Sequence, residues 1–111
     1  MIMTYEQILA DIKKRVFYPI YLLMGEEPFF IDTISNELEN SILDEADRSF
    51  NQIVIYGSDV TAKDIMMQAR AFPMMGDRLV VIVKEAQNVK DIENLADYID
   101  KLPATTILIL N

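Results

Sequence analysis

The sequence contains no cysteine and no histidine. Without cysteine there is no disulfide framework and no thiolate chemistry. Without histidine the commonest metal ligand and the commonest general acid/base are missing. No Ser-His-Asp or Cys-His arrangement can therefore be assembled. Positive charge is scarce as well. Ten Lys and Arg stand against eighteen Asp and Glu, a net charge of −8, which makes a poor grip on phosphate backbones. No apolar run approaches the ~20 residues of a membrane-spanning helix. The N-terminus shows no basic region followed by an apolar stretch and a cleavage site. A cytoplasmic setting without membrane contact is expected.

What is present suits one globular domain. The chain has 111 residues, 51% of them hydrophobic and 25% charged. A chain of this size buries roughly 65% of the surface of its unfolded form, enough for one core.

Helical and extended patterns alternate. Thr4 to Lys14 reads as a helix, with Thr4 as N-cap, Gln7 at the capping-box position, and Ile8, Ile12 and Val16 on one side. Ile20 to Met24 is a short apolar run closed by Gly25, and reads as a buried strand. Pro28 opens a second helix with the stripe Ile31, Ile34, Leu38, Ile42. Asp44 to Ser49 reads as a polar connection before the strand Gln52 to Tyr56, which Gly57 closes. Thr61, with Asp64 three residues on, caps a third helix whose face is Ile65, Ala69 and Phe72. Pro73 stops it. On this reading Phe72 packs into the core, as do Met66 and Met67. Leu79 to Val83 is a third strand. Ile92, Leu95, Ala96, Ile99 and Leu102 predict a fourth helix ended by Pro103, and Thr106 to Leu110 a fourth strand.

Strands apolar on both faces, alternating with helices, predict an α/β fold: a three-layer parallel sheet flanked by helices. The chain stops directly after a buried strand, so a truncated domain is expected.

The turn from the first strand into the second helix is where α/β proteins hold phosphates. A P-loop reads G-x-x-x-x-G-K-[ST]. Counted from Gly25, its second glycine falls on Phe30, its lysine on Ile31 and its Ser/Thr on Asp32. Phe30 puts a ring where backbone must approach phosphate, and Ile31 offers no charge. Glu26 and Glu27 add negative charge, and one like-charge contact at ~4 Å costs about 4 kcal/mol. The stretch Gly25, Glu26, Glu27, Pro28, Phe29, Phe30, Ile31, Asp32 is thus a degenerate P-loop position, and no cofactor is expected. On the plain reading Phe29 and Phe30 pack, and the two glutamates complement the helix dipole.

The segment Tyr21-Leu22-Leu23-Met24-Gly25-Glu26-Glu27-Pro28-Phe29-Phe30-Ile31 resembles the opening of the bacterial DNA polymerase III delta subunit family. Phe50-Asn51, Asp64-Ile65 and Ala71-Phe72-Pro73-Met74-Met75-Gly76-Asp77-Arg78-Leu79-Val80-Val81 extend the resemblance from about Pro19 to Leu110. The resemblance implies the N-terminal domain of a clamp-loader subunit with an AAA+/P-loop-NTPase-like fold. Strand order would then be 1-4-3-2, the fifth strand missing, which leaves Ile20–Met24 at an edge open to association. It further implies a non-catalytic domain that opens or holds open the beta sliding clamp and does not hydrolyse ATP. Other loader subunits would be met through helical and collar domains absent here, and DNA only indirectly.

By motif position the implied clamp contact is Met74 and Met75, flanked by Phe72, Pro73, Arg70 and Arg78. From the residues alone, the two methionines either cap the core beneath the turn or stand out as an adaptable apolar contact. The resemblance favours contact. Family members often place an aromatic ring here, which Met-Met lacks. Arg70 and Arg78 read as solvated charges or partners for an acidic rim.

Two other readings remain. One is a doubly wound enzyme or nucleotide-binding domain with its site above the strand C-termini. The other is a receiver-like domain around Lys84, for which no strand-end aspartates are found. Asp44, Glu45 and Asp47 lack the spacing of a calcium loop and read as solvated.

Overall fold

The computed structural model describes residues 4–23, 27–74 and 76–111. Helix α1 (Tyr5–Lys13) starts with the full capping box: the Thr4 hydroxyl accepts from the Gln7 N–H at 3.2 Å, and the Gln7 side chain accepts from the Thr4 N–H at 2.9 Å. It ends in a left-handed residue, Arg15 at φ 59°. The Val16 N–H reaches back to the Asp11 carbonyl and the Arg15 N–H to that of Ile12, the bond pair of a Schellman stop. Strand β1 (Ile20–Leu22) follows, and then α2 (Pro28–Ser41), with proline in its first turn.

The segment Asp44–Ser49, expected as a polar connection, instead contributes most of a third helix, α3 (Glu45–Asn51). It has no apolar stripe to betray it. Asp44 caps it by accepting from the Asp47 N–H at 2.8 Å. Arg48 ties it to the Asn40 carbonyl at 3.0 Å, and its one buried residue is polar, Asn51. Strand β2 (Gln52–Tyr56) continues directly from it. Gly57 then passes so close to the Glu85 carbonyl that a Cβ would overlap it.

Helix α4 (Ala62–Ala69) carries the Thr61/Asp64 capping box. Ile65, Met66 and Ala69 are buried, but Met67 is exposed, and so is Phe72, contrary to the core reading. The helix ends at Ala69, so Phe72 lies past the point where helical spacing would return it to the Ile65 face. Strand β3 is Leu79–Lys84 and strand β4 is Thr106–Leu110.

Between those strands the expected fourth α-helix is replaced by 3₁₀ segments, Ile92–Asp97 and Ile99–Lys101. Bonds such as Asn94 N–H to Asp91 and Tyr98 N–H to Leu95 close three-residue turns. The residue placed to cap an α-helix there, Asp91, spends its carboxylate on the Ala62 N–H of α4, at 2.9 Å. Of the predicted stripe, Leu95 is buried, while Ile92 and Leu102 are partly so.

The sheet has four parallel strands in the order β1-β4-β3-β2. Its two faces bury separate cores. Val81, Val83, Leu108 and Leu110 face α4 and the 3₁₀ segments. Val80, Ile82, Ile107 and Ile109 face the α1/α2 side with Ile12, Ile34 and Leu38. Central strands β3 and β4 are apolar and buried on both faces. The edges are less covered: Leu22 on β1, and Val54 and Tyr56 on β2, are exposed. Among the described residues no helix is long and apolar enough to cross a membrane.

Candidate functional site

Two regions compete for function. The first is the cleft of ≈ 660 Å³ above the C-terminal ends of the strands, where an α/β nucleotide site would lie. Helix α2 starts at its rim. Glu27 is the N-cap, but its side chain makes no capping bond. Phe29 and Phe30, both expected to pack, are both exposed: Phe30 stacks on Tyr5 with ring centroids 4.5 Å apart, and Phe29 meets Phe30 edge-on. Asp32 and Glu85 line the cleft with Lys84. The Lys84 ammonium lies 3.5 Å from the Glu39 carboxylate, so the charge that a phosphate would need is engaged by a neighbouring acid. The Asn111 amide donates to the Ser35 hydroxyl at 3.0 Å, closing the floor. Ile31 also lines the cleft, and Pro28 holds the helix start. Met24, Gly25 and Glu26, the first part of the degenerate P-loop position, lie outside the described residues.

The second region is the turn between α4 and β3. Arg70 caps α4 and is exposed. Phe72 is 74% and Met74 63% exposed, on either side of the half-buried Pro73. Met75, named with Met74 in the sequence analysis, lies outside the described residues. Arg78 does not stand free, because its guanidinium lies 5.1 Å from the centre of the Phe17 ring, with Arg15 at 5.2 Å from the same ring. An exposed aromatic ring, that of Phe72, stands two residues before Met74.

The turn is held from beneath by a residue that the sequence reading did not assign to it. The Asn51 side chain, 1% exposed, accepts from the Met74 N–H at 2.6 Å and donates to the Met74 carbonyl at 2.9 Å. In the sequence Asn51 stands out only as part of the Phe50-Asn51 pair ahead of a strand, and that does not say which backbone it will meet.

Elsewhere, Asp44 and Asp47 are joined by the α3 cap, and among the described residues no group of three or more acidic side chains converges as metal ligands.

These features define an open-sheet, parallel α/β domain whose strand-end cleft holds Asp32 and Glu85 beside Lys84 and whose α4–β3 turn exposes Phe72 and Met74. The chain belongs to the family "DNA polymerase III, delta subunit", which it matches over residues 21–111. It is 29% identical, over 77 residues, to the DNA polymerase III subunit delta of Bacillus subtilis (strain 168), a match covering 69% of this chain and 22% of that protein. Among solved structures it superposes on the Bacillus subtilis DNA clamp loader delta protein with a TM-score of 0.82 at 22% identity, covering 96% of this chain and 34% of that one. The chain thus spans between a fifth and about a third of the length of these relatives.

Proposed function

We propose that this chain is the sliding-clamp-binding module of a clamp-loader delta subunit, and that the α4–β3 turn is its contact. Met74 and Met75, with Phe72 and Pro73 beside them, enter an apolar pocket on the beta clamp. Arg70 lies at the rim. The module binds nothing at the strand-end cleft and hydrolyses no ATP. Other loader subunits are engaged by parts of the protein beyond these residues, and DNA only through the assembly. The carrying observation is the pair of large apolar side chains, Phe72 and Met74, turned to solvent, with the Met74 backbone held from below by Asn51. Burying each fully in a partner stabilises the complex by about 1.5–3 kcal/mol, enough for two such residues to dominate an interface. Clamp opening follows if the opened clamp is bound more tightly than the closed one, since a ligand shifts an equilibrium only by its differential affinity.

Surface plasmon resonance against the cognate sliding clamp tests the contact. The double variant Met74→Ala, Met75→Ala is expected to lose binding while remaining folded. A folded double variant with unchanged affinity sinks the proposal. Titration with labelled ATP tests the cleft, and micromolar binding would move the function there.

A further inference from the structure

We infer that Asn51 is a positioning residue for clamp contact: its buried amide presets the backbone from which Met74 projects. This rests on the clamp-contact reading above. A backbone N–H only donates and a carbonyl only accepts, so a side chain that satisfies both groups of one residue needs an acceptor and a donor, which a carboxamide carries side by side. Asn51 meets Met74 in this way, accepting at 2.6 Å and donating at 2.9 Å, from the last turn of α3, 23 residues away in sequence. Two bonds to one residue fix its orientation as well as its place. Met74 is 63% exposed, so its own side chain supplies little of that anchorage.

Gly76 supports the same arrangement independently. A Cβ at this position would stand 2.7 Å from the Asn51 amide nitrogen. The far end of a side chain usually yields to such a neighbour. Here it is buried and bonded at both of its polar atoms, so yielding breaks the grip on Met74. Gly76 is therefore required by Asn51 and not by its own backbone angles. The motif reads as one device: an asparagine at the end of one helix, the residue it holds, and a glycine that leaves it room.

Preorganisation matters because ordering a loop on binding costs affinity. With the turn already held, Met74 meets the clamp without that loss.

The test is a double-mutant cycle on the chain, with the cognate sliding clamp as probe. Asn51→Leu removes both bonds at similar volume, and it is expected to weaken clamp binding about tenfold. It should also abolish hydrogen-exchange protection of the Met74 amide while the Val81 and Ile82 amides stay protected. In a Met74→Ala background, Asn51→Leu should cost less than threefold further, since Asn51 acts through Met74. Gly76→Ala should reproduce the loss of Met74 protection and of affinity, and it serves as the second variant if Asn51→Leu does not fold. Unchanged affinity on Met74→Ala overturns the clamp-contact reading and this proposal with it. Affinity lost on Met74→Ala but retained in a folded Asn51→Leu or Gly76→Ala variant overturns this proposal alone. Equal losses from Asn51→Leu in both backgrounds would mark Asn51 as merely structural.

Discussion

The Thr106 hydroxyl donates a 2.7 Å hydrogen bond to the Ala69 carbonyl, joining the first residue of β4 to the last residue of α4 inside the core. Carbonyls at a helix C-terminus have no partner within the helix, and this one is met by a side chain that is itself buried. Thr106→Val keeps the shape and deletes the donor. Leaving a buried acceptor unpaired costs about 1–3 kcal/mol. Urea unfolding should show a lower midpoint with an unchanged slope. A midpoint equal to that of the parent chain would show that the bond contributes nothing.

Arg15 combines a left-handed backbone with two bonds across to α2. Its guanidinium donates to the Ser41 carbonyl at 2.9 Å and the Ile42 carbonyl at 3.1 Å, where α2 has no basic residue in its last turn. Arg15→Ala should cost about 1–3 kcal/mol, by losing charge-assisted bonds. Arg15→Gly loses the same bonds but relieves the positive φ, so it should be the milder change by roughly 1 kcal/mol. Thermal or urea denaturation of the two variants side by side measures the difference, and the reverse order would contradict this account.

The exposed ring of Phe72 separates binding from stability. Phe72→Ala should leave stability within about 0.5 kcal/mol, as for other surface positions. Its affinity for the sliding clamp should fall several-fold if the ring is part of the contact. A variant that loses stability would instead return Phe72 to the core.

Two tyrosines couple the fold to alkaline pH. The Tyr18 hydroxyl donates to the Asp11 carboxylate at 2.9 Å, and this bond to an anion raises its pKa above the ordinary value near 10. Tyr21 is raised by burial, partly offset as its oxygen accepts from the Tyr18 N–H. For a raised folded-state pKa, the contribution to stability is full below the unfolded value and is lost as pH climbs through the folded one. Stability should therefore decline above about pH 10. Tyr18→Phe should remove a late component from the ultraviolet titration of the tyrosines and flatten that decline. An unaltered titration curve would count against the Asp11 contact.

Gly57→Ala should destabilise the domain by about 1–3 kcal/mol, the usual cost of overpacking. The added methyl would strike the Glu85 backbone, which cannot swing aside as a flexible side chain can. A shifted urea midpoint is the expected readout.

Local chemistry made much of this fold legible. Thr4 with Gln7 and Thr61 with Asp64 mark helix starts by side chains that bond within three residues, and both capping boxes are present. The apolar runs of β3 and β4 read as strands covered on both faces, and they are, whereas the same reading of β1 and β2 meets exposed Leu22, Val54 and Tyr56 at the sheet edges. Side chains committed at a distance were not legible. Asp91 looks like the cap of the helix that follows it but serves α4, and the segment after it tightens into 3₁₀ turns. Helix α3 has no apolar stripe, so periodicity could not find it. Phe72 fits the Ile65 face by count, yet the helix stops at Ala69 and the count no longer applies. Met74 was legible as a turn residue beside a proline. Asn51 was not, because its partner lies across the domain.

The sheet works as a septum. Alternate residues of β3 and β4 look into different layers, with Val81 and Leu108 on one side and Val80 and Ile109 on the other. The α2 end that borders the cleft is seated in one compartment and α4, which leads into the exposed turn, in the other. The helix beside the cleft and the helix that leads into the exposed turn thus rest on opposite faces of one wall, and share it only through the backbone of the two central strands.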